Sequence, residues 1–179
     1  WPAQPGDLTL PSPTAPHFFA NQRPLAERPI PFGFAGWYSS PSRRDIIEHL
    51  VAHGGLQLKP YDHRYGTYSA YSQFMTSCIV VPNIPISGSD AVRQVKGRVL
   101  ECGEAGCVLL ARNDSWATKW FDVGIDFITY HTKEDAVDAM RMILSDLGWF
   151  QKIASNLQKR VLTEHSPTKF WGRVLDNLT

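Results

Sequence analysis

Short apolar segments alternate with segments of helical periodicity along most of this chain. The apolar segments predict strands at residues 30–36, 56–61, 78–83, 107–111 and 126–130. Helical patterns lie between most of these strands, and strands that are joined through helices run parallel because the chain must cross back over the sheet. The alternation therefore predicts an α/β fold in which helices flank one parallel sheet.

Capping and stop residues mark the ends of the predicted helices. Ser40 and Pro41 suit the cap and first turn of a helix that Gly54 and Gly55 would end. Thr132 and Ser166 suit the caps of helices near the carboxyl end of the chain. Because the connections left between elements are short, successive elements are expected to be neighbours in the fold.

The composition is typical of a globular chain with one core. Of the 179 residues, 43% are apolar and 20% are charged, which supplies enough apolar material for one packed domain. The formal net charge is only +1, whereas proteins that bind nucleic acid through its phosphates present a basic face. A nucleic-acid partner is therefore not expected.

The first thirty residues differ from the rest in their high proline content. Proline interrupts regular helices, so residues 1–30 are interpreted as an extension or interdomain linker with little core, and residues 31–179 as the domain. The chain begins with Trp1 rather than Met. We therefore expect a processed or excised piece of a longer protein.

The cysteine pattern favours buried, reduced thiols. Cys78, Cys102 and Cys107 are odd in number and show no CxxC spacing, which disfavours a metal site or a disulfide.

No apolar run approaches the ~20 residues that span a bilayer, and the start lacks the order of a signal peptide. These features together predict a cytoplasmic location.

Three segments are predicted to meet at the carboxyl edge of the sheet, where open α/β sheets bind ligands. The first is the loop after the first strand, with Gly36, Trp37 and Tyr38. The second is the loop that starts at Asn83, and the third is the start of the helix that follows. These positions are the candidate ligand contacts.

That third segment carries a cluster of charges. Backbone N–H groups at helix starts, together with Lys96 or Arg98, suit a diphosphate. Glu101, three residues after Arg98, can accept two hydrogen bonds from the vicinal hydroxyls of a ribose. The alternative from spacing alone is a surface ion pair between Arg98 and Glu101, worth under ~1 kcal/mol.

Other site chemistries lack support in the sequence. The stretch GFAG at residues 33–36 has no GxGxxG order, so a nicotinamide enzyme is disfavoured. Tyr68 and Tyr71 suit base stacking, although such tyrosines are more often core residues with their hydroxyls at the rim. Five histidines without metal-ligand spacing are expected at the surface or rim: His49, His53, His63, His131 and His165.

Several blocks of sequence resemble a known family in their order and spacing. They are GFAGWYSSPSRRDIIEHL, YSAYSQFMTSCIVVPNIP, KGRVLECGEAGCVLL, FDVGIDFITYHTKEDAVDAMRMILSD and QKIASNLQKRVLTEHSPTKFW. Together they resemble the nucleotide-sugar-binding half of GT-B glycosyltransferases, nearest to the group-one type with a CgeB-like carboxyl-terminal domain. The resemblance covers about residues 31 to 175.

The resemblance implies a Rossmann-like half of a GT-B glycosyltransferase that binds a nucleoside-diphosphate sugar without a metal or other cofactor. Glu101 matches the family glutamate that holds the ribose, and Arg98 matches the arginine of the same motif. Lys96 and Arg98 would stabilise the departing nucleoside diphosphate, which is the catalytic role expected of them. Arg93 replaces a second glutamate of related families, so a sugar-contacting acid is absent there.

A GT-B enzyme also needs an acceptor-binding domain across the cleft, and the chain is too short to contain one. We expect a missing amino-terminal domain or a neighbouring chain to supply it, with an acceptor that is unidentified. The alternative function is a non-catalytic carbohydrate- or protein-interaction module that retains the Rossmann-like fold. Trp37, Trp116 and Trp120 would then be exposed partner contacts.

Overall fold

Parallel strands form one five-stranded sheet in the computed structural model, which describes residues 15–20, 22–36, 38, 40–59, 67–86 and 97–177. The strands are β1 (Ile30–Ala35), β2 (Gln57–Lys59), β3 (Cys78–Asn83), β4 (Val108–Arg112) and β5 (Ile128–Tyr130). Their order across the sheet is β2-β1-β3-β4-β5, and every neighbouring pair is parallel. The predicted α/β fold with a parallel sheet is confirmed.

Helices cover both faces of this sheet. They are α1 (Pro41–Gly54), α2 (Tyr68–Ser77), α3 (Arg98–Glu104), α4 (Lys133–Ser145), α5 (Leu147–Glu164) and α6 (Pro167–Asp176). The apolar side chains of α1 and α4 pack in one cluster, and those of α2 and α3 pack in the other. Helix α5 contributes to both clusters, with Ile153 in the first and Leu157 in the second.

The helix starts and the helix end that the cap and stop residues predicted agree with the structure, although one predicted cap makes no capping hydrogen bond. Thr132 and Asp135 form a reciprocal capping box at the start of α4, and Gly55 ends α1 in the left-handed conformation (φ 67°). Ser40 occupies the cap position of α1, but its hydroxyl makes no capping hydrogen bond. Cys78, Cys102 and Cys107 are buried free thiols, as predicted.

Within residues 1–30, the expectation of little core is wrong for the described part. Phe19, in a short 3-10 helix at Pro16–Phe19, is fully buried against α2 and α3. Leu25, 1% exposed, belongs to the cluster on the opposite face. Proline density reports only local backbone preference, so it did not reveal these tertiary contacts.

None of the described helices combines the length and apolar character needed to cross a membrane.

Candidate functional site

The strand order reverses between β1 and β3, which is the switch point at which open α/β sheets bind ligands. The chain leaves β1 toward β2 on one side and enters β3 on the other, so the connections diverge at this point. Pairing of Phe32 with Val80 brings Ala35 level with Asn83 three residues later. Ligands of such sheets bind outside the carboxyl ends of the strands at this divergence. β1 and β3 therefore end side by side at one edge of the sheet, whereas much of the two loops that follow them lies outside the described residues.

Arg98 closes over the end of β1. Its guanidinium lies 4.4 Å from the centroid of the Phe34 ring and donates a hydrogen bond to the carbonyl oxygen of Ala35. Gly36 leaves room for this contact, because a Cβ there would lie 2.7 Å from Arg98 Nη2, and its φ of 155° also disfavours a side chain. Tyr38, half-buried, packs edge-on to Phe34 at a centroid distance of 6.5 Å.

Arg43, which the sequence analysis did not single out, joins Arg98 on the same ring. Its guanidinium lies 5.8 Å from the Phe34 centroid, within the first turn of α1. Burial lowers the pKa of Arg43, and the nearby charge of Arg98 lowers it further. The described part of the chain offers neither arginine an ion pair, and the Nε atoms of both are buried without a hydrogen-bond partner. Two cations therefore lie on the same ring, and among the described residues neither has an anionic partner.

The start of α1 adds to this positive region. Ser40, at the cap position of α1, has a buried hydroxyl that makes no hydrogen bond with a described residue. Free N–H groups in the first turn of a 14-residue helix attract anions. The available signal in the sequence was the Ser-Pro helix start directly after a predicted strand, with Arg43 two residues beyond the proline.

Glu101 contacts tyrosines rather than Arg98. Tyr71 donates its hydroxyl to Glu101 Oε2 at 2.5 Å, and Tyr68 donates to Oε1 at 3.4 Å. Among the described residues, no ion pair joins Glu101 to Arg98, whose guanidinium turns toward β1. The surface-ion-pair alternative is therefore wrong. Burial raises the pKa values of both phenols, and the charge of Glu101 raises them further.

Asn83 ends β3 with its side chain fully buried. Its Nδ2 donates to Ser115 Oγ at 3.1 Å, whereas its Oδ1 has no partner. The free oxygen is an acceptor at the carboxyl edge of the sheet. Two other predicted contacts, Trp37 and Lys96, lie outside the described residues, as does Arg93, so their roles stay predictions.

One prediction about the histidines is wrong. His165 is 7% exposed and packs on Phe121 at a ring-centroid distance of 5.1 Å, and burial lowers its pKa. Its position between two predicted helices gave no sign of this packing. No group of three or more His, Cys, Asp or Glu side chains in the described ranges is arranged to hold a metal ion.

The structure describes two of the three tryptophans that were predicted as partner contacts. Of these two, Trp116 lies at the surface. It is 43% exposed, with Lys119 Nζ 4.0 Å from its ring centroid. Trp120 is half-buried against the cluster that contains Phe121, and Trp37 is not among the described residues.

Several solved structures share the fold. A glycosyltransferase from Rickettsia africae ESF-5 gives a TM-score of 0.67 at 12% identity, over 92% of this chain and 54% of that chain. HepE from Anabaena, in complex with UDP-glucose, gives 0.61 at 14% identity, over 93% of this chain and 46% of that chain. The C-terminal domain of LpcC, a glycosyl transferase group 1 family protein from Francisella tularensis, gives 0.56 at 11% identity, over 88% and 96%.

At these identities the structural likeness shows the fold alone, and it confirms the predicted Rossmann-like sheet flanked by helices. The chain spans 54% of the Rickettsia enzyme and 46% of HepE. None of the curated proteins matches the chain significantly in sequence. Residues 40–176, however, match the model of a family described as glycosyl transferase-like. Since that match covers most of the chain, the protein belongs to the glycosyl transferase-like family.

Proposed function

We propose that this chain is the donor-binding domain of a glycosyltransferase and binds a nucleoside-diphosphate sugar. The observation that carries the proposal is the pair of guanidinium groups, Arg43 and Arg98, which share the Phe34 ring at the end of β1 and make no ion pair with a described residue. Half-buried cations without an anionic partner are costly, and the two phosphates of a donor would neutralise them. HepE, which shares the fold, has been crystallised with UDP and with UDP-glucose.

In this proposal each part of the donor has a partner. The diphosphate lies between Arg43, Arg98 and the amide groups at the start of α1, with Lys96 as a further cation. The ribose hydroxyls bind Glu101, whose carboxylate retains acceptor sites beyond the two that the tyrosines use. Gly36, Tyr38 and Asn83, at the carboxyl ends of β1 and β3, would complete the donor site, and Trp37 stays a predicted contact.

The chemistry that follows is stabilisation of the leaving group. Positive charges fixed around the diphosphate favour its departure from the sugar, a role that needs no metal. The acceptor and any general base would be held by another domain or chain. A cytoplasmic location is proposed because Cys78, Cys102 and Cys107 are free thiols, which are kept reduced in that compartment.

Calorimetric titration with UDP-glucose, UDP, GDP and uridine tests the proposal. A donor-binding domain should bind at least one diphosphate nucleotide far more tightly than its nucleoside, because only the nucleotide presents phosphate oxygens to the arginines. If no nucleotide binds while proteins or glycans do, the chain would instead be an interaction module, for which exposed Trp116 is the candidate contact.

A further inference from the structure

A phenol on α2 holds the carboxylate of Glu101. Tyr71 and Glu101 lie 30 positions apart on two helices that pack against the same face of the sheet. The distance of 2.5 Å between the Tyr71 hydroxyl and Glu101 Oε2 is that of a strong hydrogen bond to a charged acceptor. Tyr68, at 3.4 Å from Oε1, makes a much weaker contact.

The surroundings of Tyr71 preserve this hydrogen bond. Its ring packs against the apolar cluster that contains Met75, whereas Tyr68 is 38% exposed. Burial raises the pKa of the Tyr71 phenol, and the charge of Glu101 adds to the shift against the opposing charge of Arg98. The hydroxyl therefore stays protonated and remains a donor at neutral pH.

We propose that Tyr71 is a positioning residue for nucleotide binding, which orients the Glu101 carboxylate toward the two ribose hydroxyls. This inference rests on the proposed function, in which Glu101 binds the ribose. A glutamate side chain that is free to change rotamer must be ordered when the ligand binds, and this ordering weakens affinity. Tyr71 supplies this order beforehand through its hydrogen bond to Glu101.

The test compares a ribose ligand with one that lacks the diol. UDP and 2′,3′-dideoxy-UDP are titrated against the wild type and Tyr71→Phe, which removes one oxygen atom and keeps the ring. The variant should weaken UDP binding about two- to tenfold, which corresponds to the cost of immobilising one flexible side chain on binding. The affinity for dideoxy-UDP should not change.

Tyr68→Phe is the matched control. It also removes a tyrosine hydroxyl from α2, but one that lies 3.4 Å from Glu101 Oε1, so it should weaken UDP binding much less than Tyr71→Phe does. Thermal unfolding of each variant checks that the fold is intact.

A double-variant cycle separates positioning from a structural role. In the Glu101→Ala background, Tyr71→Phe should cause no further loss of UDP affinity, because the group that it positions is gone. Equal weakening of UDP and dideoxy-UDP by Tyr71→Phe, a further loss in the Glu101→Ala background, or no loss at all would overturn the inference while the proposed function stands. A wild-type protein that binds no nucleotide would contradict the proposed function and this inference together.

Discussion

Among single residues, two arginines of the candidate site carry charges that no described residue neutralises. Arg43 and Arg98 share the ring of Phe34. The acid nearest to Arg43 in sequence, Asp45, pairs with Lys133. The acid nearest to Arg98, Glu101, accepts hydrogen bonds from tyrosine hydroxyls. Such an arrangement costs stability in the free protein and favours an anionic ligand. The site is thus arranged for binding rather than for maximum stability.

Replacing these arginines should weaken binding of nucleotides and leave binding of nucleosides unchanged. Arg43→Gln and Arg98→Gln are each expected to reduce the affinity for UDP by about 1 to 3 kcal/mol, the range for charge-assisted hydrogen bonds. Calorimetry with UDP and uridine measures the difference. Ligand-free Arg43→Gln should melt at the wild-type temperature or above it, because a repulsion between like charges is removed.

The control for this prediction is Arg44→Gln, since Arg44 is the exposed neighbour of Arg43 on α1. Its removal should change the affinity for UDP little, because exposed charges are screened by water and salt. Equal losses for UDP and uridine, or an Arg44 effect as large as that of Arg43, would contradict the assignment of the diphosphate to this pair.

Among the elements, α5 fixes the end of the segment that crosses from β4 back to the start of β5. Arg160 donates to Asp122 Oδ2 at 2.8 Å, to the carboxylate of Asp126, and to the carbonyl oxygen of Trp120. Asp126 is 1% exposed. A single side chain therefore keeps a buried carboxylate neutralised and holds the segment to the helix.

Arg160→Met should lower the free energy of unfolding by about 2 to 4 kcal/mol, because the Asp126 carboxylate stays buried without its cation. Chemical denaturation measures the change. Arg141→Met on α4 is the control: its pair with Asp138 is mostly exposed, so the loss should stay under about 1 kcal/mol. A loss in Arg160→Met no larger than in the control would show that Asp126 does not depend on Arg160.

The sequence predicted the elements well because their signals are local. Alternating apolar runs, the cap at Thr132 and the stop at Gly55 act within a few residues, and all appear at the expected positions. The sequence predicted the side-chain contacts only partly, both at the candidate site and elsewhere, because these contacts join positions that are far apart in the chain. The hydrogen bond between Tyr71 and Glu101 spans 30 residues, and that between Arg160 and Asp126 spans 34; neither leaves a periodic trace in the sequence.

For the molecule as a whole, the proposed function implies that the sheet with its helices would supply one wall of a donor-binding cleft. The chain spans 46% of HepE in complex with UDP-glucose and 96% of the LpcC C-terminal domain. Glycosyl transfer requires a second wall, which excludes water and orients the acceptor. The 179 residues can therefore be expected to perform only the donor-binding step when they are tested alone.

We accordingly expect this chain, assayed alone, to bind a nucleotide sugar and to transfer nothing to any acceptor, with slow hydrolysis of the donor as its greatest activity. A radiolabelled-sugar assay with and without acceptor glycans measures transfer. Robust transfer that depends on acceptor would contradict this expectation, and a homodimer that supplies the second wall would then be the leading explanation.

The measurement that tests the central claim most directly is a crystal structure of the chain with UDP bound. We expect the diphosphate to lie between Arg43 and Arg98 at the start of α1, with the ribose hydroxyls within hydrogen-bond distance of the Glu101 carboxylate. A nucleotide bound elsewhere on the sheet, or one whose phosphates contact neither arginine, would contradict it.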